Sequence, residues 1–577
     1  MEGAVKMHIS NARIAALFNK LADYMQIREG NPFKIRAYRS AARTIANLDK
    51  SLARMVEEGA DLSAIPTIGE KIARKIEEIV RTGRLSKLEK IEKCFPPHFS
   101  DLLAVDGIGP KRAKLLYEQL RIDSVDALKK AAQEKRIREL KGFDKQLEKR
   151  ILKGTVLLKQ EGKRFLYAEA EPYVKELLAY LKRSKHLSKV SIAGSFRRKK
   201  ESVGDLDILA TSPKPKRIIE HFVRYEDTKA VISEGKTKST IILSNDLQVD
   251  LRCVADESYG AALHYFTGSK SHNIAIRKMA LKKGLKVNEY GIFQGKKQIA
   301  GRTEEEMYAR VGLCYIEPEL RENRGELEAA KKRALPKLVR EDDIRGDLHM
   351  HTTYSDGYHT IKAMAEAAKA RGYEYIAVTD HSKHIPIVHG LDEKRLRRQI
   401  EEIERINEEI EGITILKSIE ADILEDGSLA LPGHILRELD LVVVAVHDHF
   451  SLSAKRQTQR ILKALENPYS TILAHPTGRL IGERMPYDIS MEKLFEAVRQ
   501  HNCFLEINAQ PKRLDLNDIH LKAAKEAGVK FAISTDAHNT FSLDYMRYGI
   551  NQARRGWIEK KDVINTFSLK KLRRVLR

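Results

Sequence analysis

From residue 341 onward the chain repeats one pattern seven times: a short apolar run and then, in most cases, an amphipathic stretch. The runs are DLHMH, YIAVTDH, ITILKSIEADI, LDLVVVAVHD, STILAHP, CFLEINA and KFAISTDAH; the stretches between them include TIKAMAEAAKARG, MEKLFEAVRQ and IHLKAAKEAG. Strands alternating with helices predict a parallel sheet with helical crossovers, closed or nearly closed into a barrel. Such a fold gathers the C-terminal ends of all its strands at one face. Six of the seven runs carry a metal-competent side chain there: His349 and His351, then His381, Glu420, His447, His475, and Asp536 with His538, while Asp356 follows the first run. His349 and His351 are two apart in an extended segment and so point to the same side. Nine donors in one cup exceed what a single tetrahedral zinc takes and suit two or three ions. An imidazole-rich set with some carboxylate favours Zn²⁺, Mn²⁺ or Fe over Mg²⁺ or Ca²⁺. His359, His384, His389, His434, His449, His501 and His520 lack that placement.

Charge divides the chain at the same boundary. Residues 1–340 hold 69 Lys and Arg against 45 Asp and Glu, whereas residues 341–577 hold 35 against 36; histidine runs the other way, 6 against 13. A basic excess confined to one half points to a polyanion partner, most often nucleic acid. A chain of 577 residues exceeds one hydrophobic core, so three to five domains are expected. Cys94, Cys253, Cys314 and Cys503 lie far apart with no CxxC pair, which argues against a disulfide framework or thiolate zinc and fits a reducing cytosol. No apolar run is long enough for a membrane span or a signal peptide, so a cytoplasmic protein is expected.

Residues 8–150 read as almost entirely helical. Two segments within them resemble each other, IPTIGEKIARKIEEIV from Ile65 and VDGIGPKRAKLLYEQL from Val105. Each has an apolar residue, a turn ending in glycine (Gly69, Gly109), a lysine two residues on (Lys71, Lys111) and an amphipathic helix. Bare N–H groups at such a helix start suit a phosphate oxygen. The first copy has Thr67 where the second has Gly107. These look like helix-hairpin-helix modules, which grip a DNA backbone without reading its sequence.

From residue 165 the pattern becomes mixed, with strand-like runs SKVSIAGS, DLDILAT, KSTIILSND and LQVDLRCVA. Asp205 and Asp207 are two apart in one run and share a face, and Asp250 in a neighbouring run is a candidate third carboxylate. Three carboxylates without histidine form an all-oxygen site suited to Mg²⁺ shared with substrate phosphates. Gly194 and Ser195 upstream offer donors to a triphosphate, and Arg198 offers a bidentate partner. Residues 318–340, charged and nearly free of aromatics, read as a partly helical linker.

Two resemblances sharpen this reading. DLHMHTTYSDG, VTDHS, IEADI, VAVHD, AHP and STDAH resemble the motifs of the PHP (polymerase and histidinol phosphatase) family, which implies a trinuclear metal centre and phosphoester hydrolysis. SIAGSFRRKKESVGDLDILAT resembles the nucleotidyltransferase signature of the polymerase beta superfamily, and YFTGSKSHNIAIRKMALKKGLKVNEYGIF resembles the nucleotide-binding and thumb region of family X DNA polymerases. NPFKIRAYRSAARTI and the two hairpins resemble that family's amino-terminal domain and fingers. The chain is thus similar to bacterial and archaeal family X polymerases with a C-terminal PHP domain. The fold class that follows is multidomain α+β and α/β: a lyase-like helical domain with the first hairpin (1–90), a fingers-like domain with the second (91–155), a palm (156–256), a thumb (257–317), the linker (318–340) and a distorted (β/α)7 barrel (341–577).

The resemblance also implies residue roles. Asp205, Asp207 and Asp250 would hold two Mg²⁺ ions, with Asp250 assisting the primer 3′-OH. Arg164, Gly194, Ser195, Arg198 and Gly204 would contact triphosphate; Tyr265 and Phe266 would pack near the incoming sugar, with Gly268, Asn273 and Arg277 around the base and minor groove. Lys75 falls at the position of a Schiff-base lysine that excises deoxyribose phosphate, or else contacts the 5′-phosphate; Lys34, Tyr38 and Lys71 match beside it. Gln248 stands where mammalian polymerase beta has an arginine, and Lys270 where the family has an aspartate after TGS. The expected activity is gap filling in DNA repair by a monomer acting on DNA and dNTPs. The PHP half would work as a Mn²⁺- or Zn²⁺-dependent 3′→5′ exonuclease or 3′-phosphodiesterase and as an endonuclease at abasic sites. The alternatives are a DNA-end-binding scaffold, or a PHP half that acts as a small-molecule phosphatase.

Overall fold

The computed structural model describes residues 11–576 except 47, 49–51, 58, 66, 97–98, 106, 159–162 and 385. Residues 8–10 of the expected helical region and 159–162 of the expected palm therefore lie outside the described residues. The chain divides into two compact units, Met1–Lys163 and Arg164–Arg577.

Among its described residues the first unit is wholly helical. Helix α1 (Glu70–Thr82) buries Ile72, Ala73, Ile76 and Ile79 on one stripe and stops at Gly83, which takes the left-handed φ of 70° that ends helices. Helix α2 (Pro110–Leu120) has proline at its first position, where no amide donor is needed. The described residues before the two helices close on the same hydrogen bond. The Ile68 N–H donates to the Ile65 carbonyl at 3.0 Å and the Ile108 N–H to the Val105 carbonyl at 2.9 Å. Thr67 has φ 73° where Gly107 has φ 91°. A β-branched residue in that region costs about 1–2 kcal/mol, so Thr67 holds under strain a bend that Gly107 makes freely.

The second unit contains a five-stranded sheet. Its strands are β1 (Lys189–Ile192), β2 (Asp205–Thr211), β3 (Thr228–Glu234), β4 (Lys238–Leu243) and β5 (Gln248–Val254), in the order β1-β2-β5-β4-β3. Only β2 and β5 run parallel. Leu206, Ile208 and Ala210 alternate into an apolar cluster with Leu177, Leu181, Ile218 and Phe222 of two flanking helices. That alternation leaves Asp205 and Asp207 on the opposite face.

A smaller apolar cluster runs from Ala261 through Ile276, Tyr308 and Ile316 to Leu320, Leu327, Ala330 and Leu338. Residues 318–340, expected as a linker, are thus packed into this body. Arg321 and Glu326 are fully buried, and Arg321 pairs with Glu304 while its guanidinium lies over the rings of Tyr308 and Tyr315. Three of the charges that suggested a solvated linker, Glu319, Arg321 and Glu326, are buried in ion pairs, while Lys331, Lys332 and Arg333 are exposed, and composition does not distinguish the two kinds.

The barrel strands are β6 (Gly346–Asp347), β7 (Tyr375–Val378), β8 (Thr414–Lys417), β9 (Glu420–Asp422), β10 (Val443–Ala445), β11 (Ile472–Leu473), β12 (Phe504–Asn508) and β13 (Phe531–Ser534). All pairings are parallel, β6-β7-β8 and β9-β10-β11-β12-β13. The run ITILKSIEADI is broken into β8 and β9 by two residues. Parallel bridges His381–Glu420 and Met350–Ala537 join the two sheets and close the ring. Tyr375, Ala377, Leu416, Val443, Ala445, Ile472 and Ala532 belong to one cluster, and Ile376, Val378, Ile415, Val444, Leu473 and Ile533 pack with the surrounding helices in another. This period of two explains which polar groups reach the cup: the first parity continues from Val443 and Ala445 to His447, and from Ala532 to Asp536 and His538. No helix among the described residues is long and apolar enough to cross a membrane.

Two candidate catalytic centres

The barrel cup gathers the sequence-predicted donors. His351, Asp356, His381 and His538 form one compact group, His349, His351 and Asp536 a second, and His381, Glu420 and His447 a third; within each, one ligand atom per residue lies within 4.8 Å of the others. His351 and His381 are shared between groups, so the three sites are contiguous. His475 stands outside the groups but joins them through Glu420, its Nε2 lying 3.1 Å from Oε1. His349, His351, Glu420 and His475 are nearly or fully buried. His351 Nδ1, Glu420 Oε2 and His475 Nδ1 are buried without a hydrogen-bond partner. Buried groups of this kind are normally satisfied, and their orphaned atoms in a mixed imidazole and carboxylate cup fit divalent cations. His475 and Asp536 hold left-handed backbone, φ 28° and 53°, which aims their side chains inward at a cost of about 1 kcal/mol each.

Electrostatics separate the imidazoles. Burial opposes charge on His349, yet Glu506, Glu420 and Asp536 override it and hold that group well above its ordinary value. His447 is pushed to about 10 against burial by Glu420 and Asp422. His351 falls to about 3 through burial and the neighbouring His538 and His381, so it stays neutral, the ligating form.

Three residues that order this cup were not singled out from sequence. Glu506 sits in CFLEINA, the one of the seven apolar runs without a predicted donor. Its Oε1 is 2.7 Å from His349 Nδ1 and its Oε2 accepts the His475 N–H at 2.6 Å. Asp422 Oδ1 is 2.8 Å from His447 Nδ1. Both leave the Nε2 atoms to face the cup, as carboxylates behind metal-binding histidines do. Asp380 accepts from the Thr352 hydroxyl and Gln399, and its carboxyl is raised by burial. The available signal was a lone carboxylate in an apolar strand (CFLEINA) and a second one two residues past Glu420.

The other centre is built on the sheet. Asp207 is directly opposite Asp250 across the parallel β2–β5 pair. Burial, then Asp205 and Asp250, raise Asp207 to about 7, and Asp205 is raised by partial burial and Asp250. Three carboxylates so placed repel one another, and a cation relieves that. Asp250 accepts from Thr240 Oγ1 at 2.6 Å and from Gln248 Nε2 at 2.7 Å. Gln248 thus supplies a neutral donor at the position where mammalian polymerase beta has an arginine. Gly194 has φ 62°, and a Cβ there would lie 2.3 Å from Asp207 Oδ2. Arg198 donates to the Thr267 carbonyl, and its Nε is 3.1 Å from Glu322 Oε1. A Cβ at Gly268 would be 3.2 Å from an Arg198 terminal nitrogen, so Arg198 and the TGS turn converge. Arg164 bonds Ser202 and lies beside Gly204. Asn273 Nδ2 donates to the Tyr265 carbonyl at 2.7 Å, Arg277 lies over the Tyr265 ring and Arg252 over that of Phe266. Lys270 is exposed at the start of the following helix.

This centre is tied to the barrel. Arg555, on helix α3 (Met546–Arg555), donates to the Arg198 carbonyl at 2.7 Å, meets Glu322 at 3.2 Å and pairs with Asp518.

In the first unit, a Cβ at Gly69 or Gly109 would meet nothing within 4 Å. Neither glycine is needed for internal packing, and both leave backbone open to an outside group. Lys71 and Lys34 are exposed; Tyr38 is buried with its hydroxyl 3.2 Å from Lys87 Nζ; Lys75 Nζ donates to the Lys71 carbonyl at 3.2 Å.

A nucleotidyltransferase palm and thumb, helical hairpins and a donor-rich closed barrel in one chain define a class, and the chain belongs to it: the family X DNA polymerases that carry a PHP domain. It matches the models for the DNA polymerase beta palm over 166–282, the DNA polymerase beta thumb over 262–322, a helix-hairpin-helix domain over 9–85, a SAM-like helix-hairpin-helix tandem over 99–154 and the PHP domain over 347–510. It is 39% identical over 561 residues to the DNA polymerase/3′-5′ exonuclease PolX of Bacillus subtilis (strain 168), covering 96% of this chain and 97% of the relative. Its PHP half is 33% identical over 231 residues to a protein of Thermoanaerobacter sp. (strain X514) described as a probable phosphatase, covering 38% of this chain and 89% of that protein.

Proposed function

We propose that this family X polymerase fills short gaps in base excision repair from its palm and trims 3′ ends in its barrel cup, as a 3′→5′ exonuclease or 3′-phosphodiesterase that also cleaves at abasic sites. The observation that carries the proposal is the pair of separate donor sets, three carboxylates on one sheet and nine imidazoles and carboxylates in one cup. In the palm, Asp205, Asp207 and Asp250 hold Mg²⁺; Arg164, Ser195, Arg198 and Gly204 orient the triphosphate; Tyr265, Phe266, Gly268, Asn273 and Arg277 bound the nucleoside. In the cup the nine donors hold two or three Mn²⁺ or Zn²⁺ ions. Bound cations at both centres neutralise phosphate oxygens and, in the cup, supply hydroxide near neutral pH. Gly69, Lys71, Gly107, Gly109 and Lys111 grip the DNA backbone, with Lys34 and Tyr38 beside them. The enzyme works as a monomer in the cytoplasm, on gapped or nicked duplex. Lys75 belongs to the same grip; borohydride trapping on abasic DNA separates a Schiff base from a phosphate contact.

Reciprocal knockouts test the proposal. Asp205→Ala is expected to lose nucleotide incorporation and keep nuclease activity, and His349→Ala the reverse. Loss of both activities from one substitution in a folded protein would refute separate sites. The relative described as a phosphatase favours a second reading of the cup, hydrolysis of small phosphomonoesters. Comparing a 3′-recessed duplex with a phosphorylated amino alcohol as substrates decides between the two readings.

A further inference from the structure

The four most exposed large apolar side chains of the second unit, among the described residues, are Ile387 (84%), Met485 (83%), Phe541 (78%) and Tyr358 (77%). All four belong to loops that follow barrel strands, after β7, β11, β13 and β6 respectively. They therefore ring the face on which the donor cup opens. Isolated exposed apolar groups are ordinary, but large ones gathered at one site mark a binding surface. The two aromatics are the nearest to the donors along the backbone. The Tyr358 N–H donates to the His538 carbonyl at 2.7 Å, and Tyr358 is two residues past Asp356. Phe541 is three residues past His538, in a turn fixed by its carbonyl accepting the Asp544 N–H at 3.1 Å. Their backbones are anchored while their rings are left to solvent. A cation stands inside the cup as well, Arg513 with its Nε 3.4 Å from Asp536 Oδ2.

We propose that Tyr358 and Phe541 form a stacking platform for the unpaired terminal bases of a DNA strand whose 3′ phosphodiester enters the cup; this rests on the nuclease reading above. Anchored aromatic faces beside a pocket whose donors fit divalent cations match single-stranded nucleic acid, whose bases each offer a π-face and whose backbone is anionic. A paired terminus keeps its bases stacked on each other, so the platform selects ends that are already frayed or mismatched.

The test uses the full-length protein and a duplex ending in three unpaired 3′ nucleotides, the last being fluorescent 2-aminopurine. Binding to the wild type is expected to change the fluorescence of that base. Tyr358→Ala and Phe541→Ala should each remove much of that change and weaken capture of the unpaired end about tenfold, while Tyr358→Phe and Phe541→Tyr retain both. In cleavage assays the alanine variants should raise KM for the unpaired end and leave kcat nearly intact. Three results would overturn the platform: an unaltered fluorescence response in the double alanine variant, an equal loss on strands whose terminal nucleotides carry no bases, or a rim that pairs two copies of the chain in sedimentation. A wild type that stacks the base yet removes no nucleotide would sink the nuclease reading and leave the platform standing.

Discussion

Gly194→Ala isolates the geometry of the palm. Two costs follow from the structure. At φ 62° an alanine pays about 1–2 kcal/mol of backbone strain. Its Cβ would also fall 2.3 Å from Asp207 Oδ2. Non-bonded atoms rest near 3.5 Å, so the carboxylate must retreat by about 1 Å. A displacement of that size at a reacting centre costs about 10²-fold in rate. Asp207 cannot retreat freely, because it lies directly opposite Asp250 on the neighbouring strand. Single-turnover insertion of one nucleotide into a gapped duplex should therefore fall about a hundredfold, with 3′ trimming by the same preparation unchanged. Insertion within about threefold of wild type would show that Asp207 need not sit where the sheet holds it, and the palm argument would fail.

Other predictions follow from the partners around each site. Glu506→Gln removes the carboxylate that orients both His349 and His475, and cup affinity for Mn²⁺ or Zn²⁺ measured by calorimetry should drop about 10- to 100-fold. Arg555→Met frees Arg198 and Glu322 from the barrel side; KM for dNTP should rise about three- to tenfold while nuclease kcat holds. Glu304 is held down to about 2 by Arg197 and Arg321, against burial. Its folded value is below its ordinary 4.5, so its contribution is complete above pH 4.5 and is lost as pH falls from there toward 2. Glu304→Gln leaves two guanidiniums without their carboxylate, costs about 3–5 kcal/mol at neutral pH, and should flatten that acid limb in urea unfolding.

What sequence revealed depended on periodicity. The cup was legible because strand ends in a parallel barrel share a face, so His381, His447 and Asp536 could be placed together without knowing any distance. Asp205 and Asp207 were legible from a spacing of two, but the pairing of Asp207 with Asp250 is a matter of register, which spacing within one strand does not fix. Glu506 and Asp422 act behind the donors, and nothing in their spacing separates an orienting carboxylate from a ligand. Residues 318–340 misled because charge predicts solvation only when no partner is available, and Arg321 and Glu326 find theirs inside the protein. The bond from Arg555 to the Arg198 carbonyl joins positions 357 residues apart, beyond any local pattern.

Anomalous diffraction from crystals soaked in Mn²⁺ measures the central claim most directly, because it counts cations and places them. Two or three peaks are expected among His349, His351, Asp356, His381, Glu420, His447, His475, Asp536 and His538, and a separate peak between Asp207 and Asp250. A cup without density, or peaks only on surface carboxylates, would contradict the account.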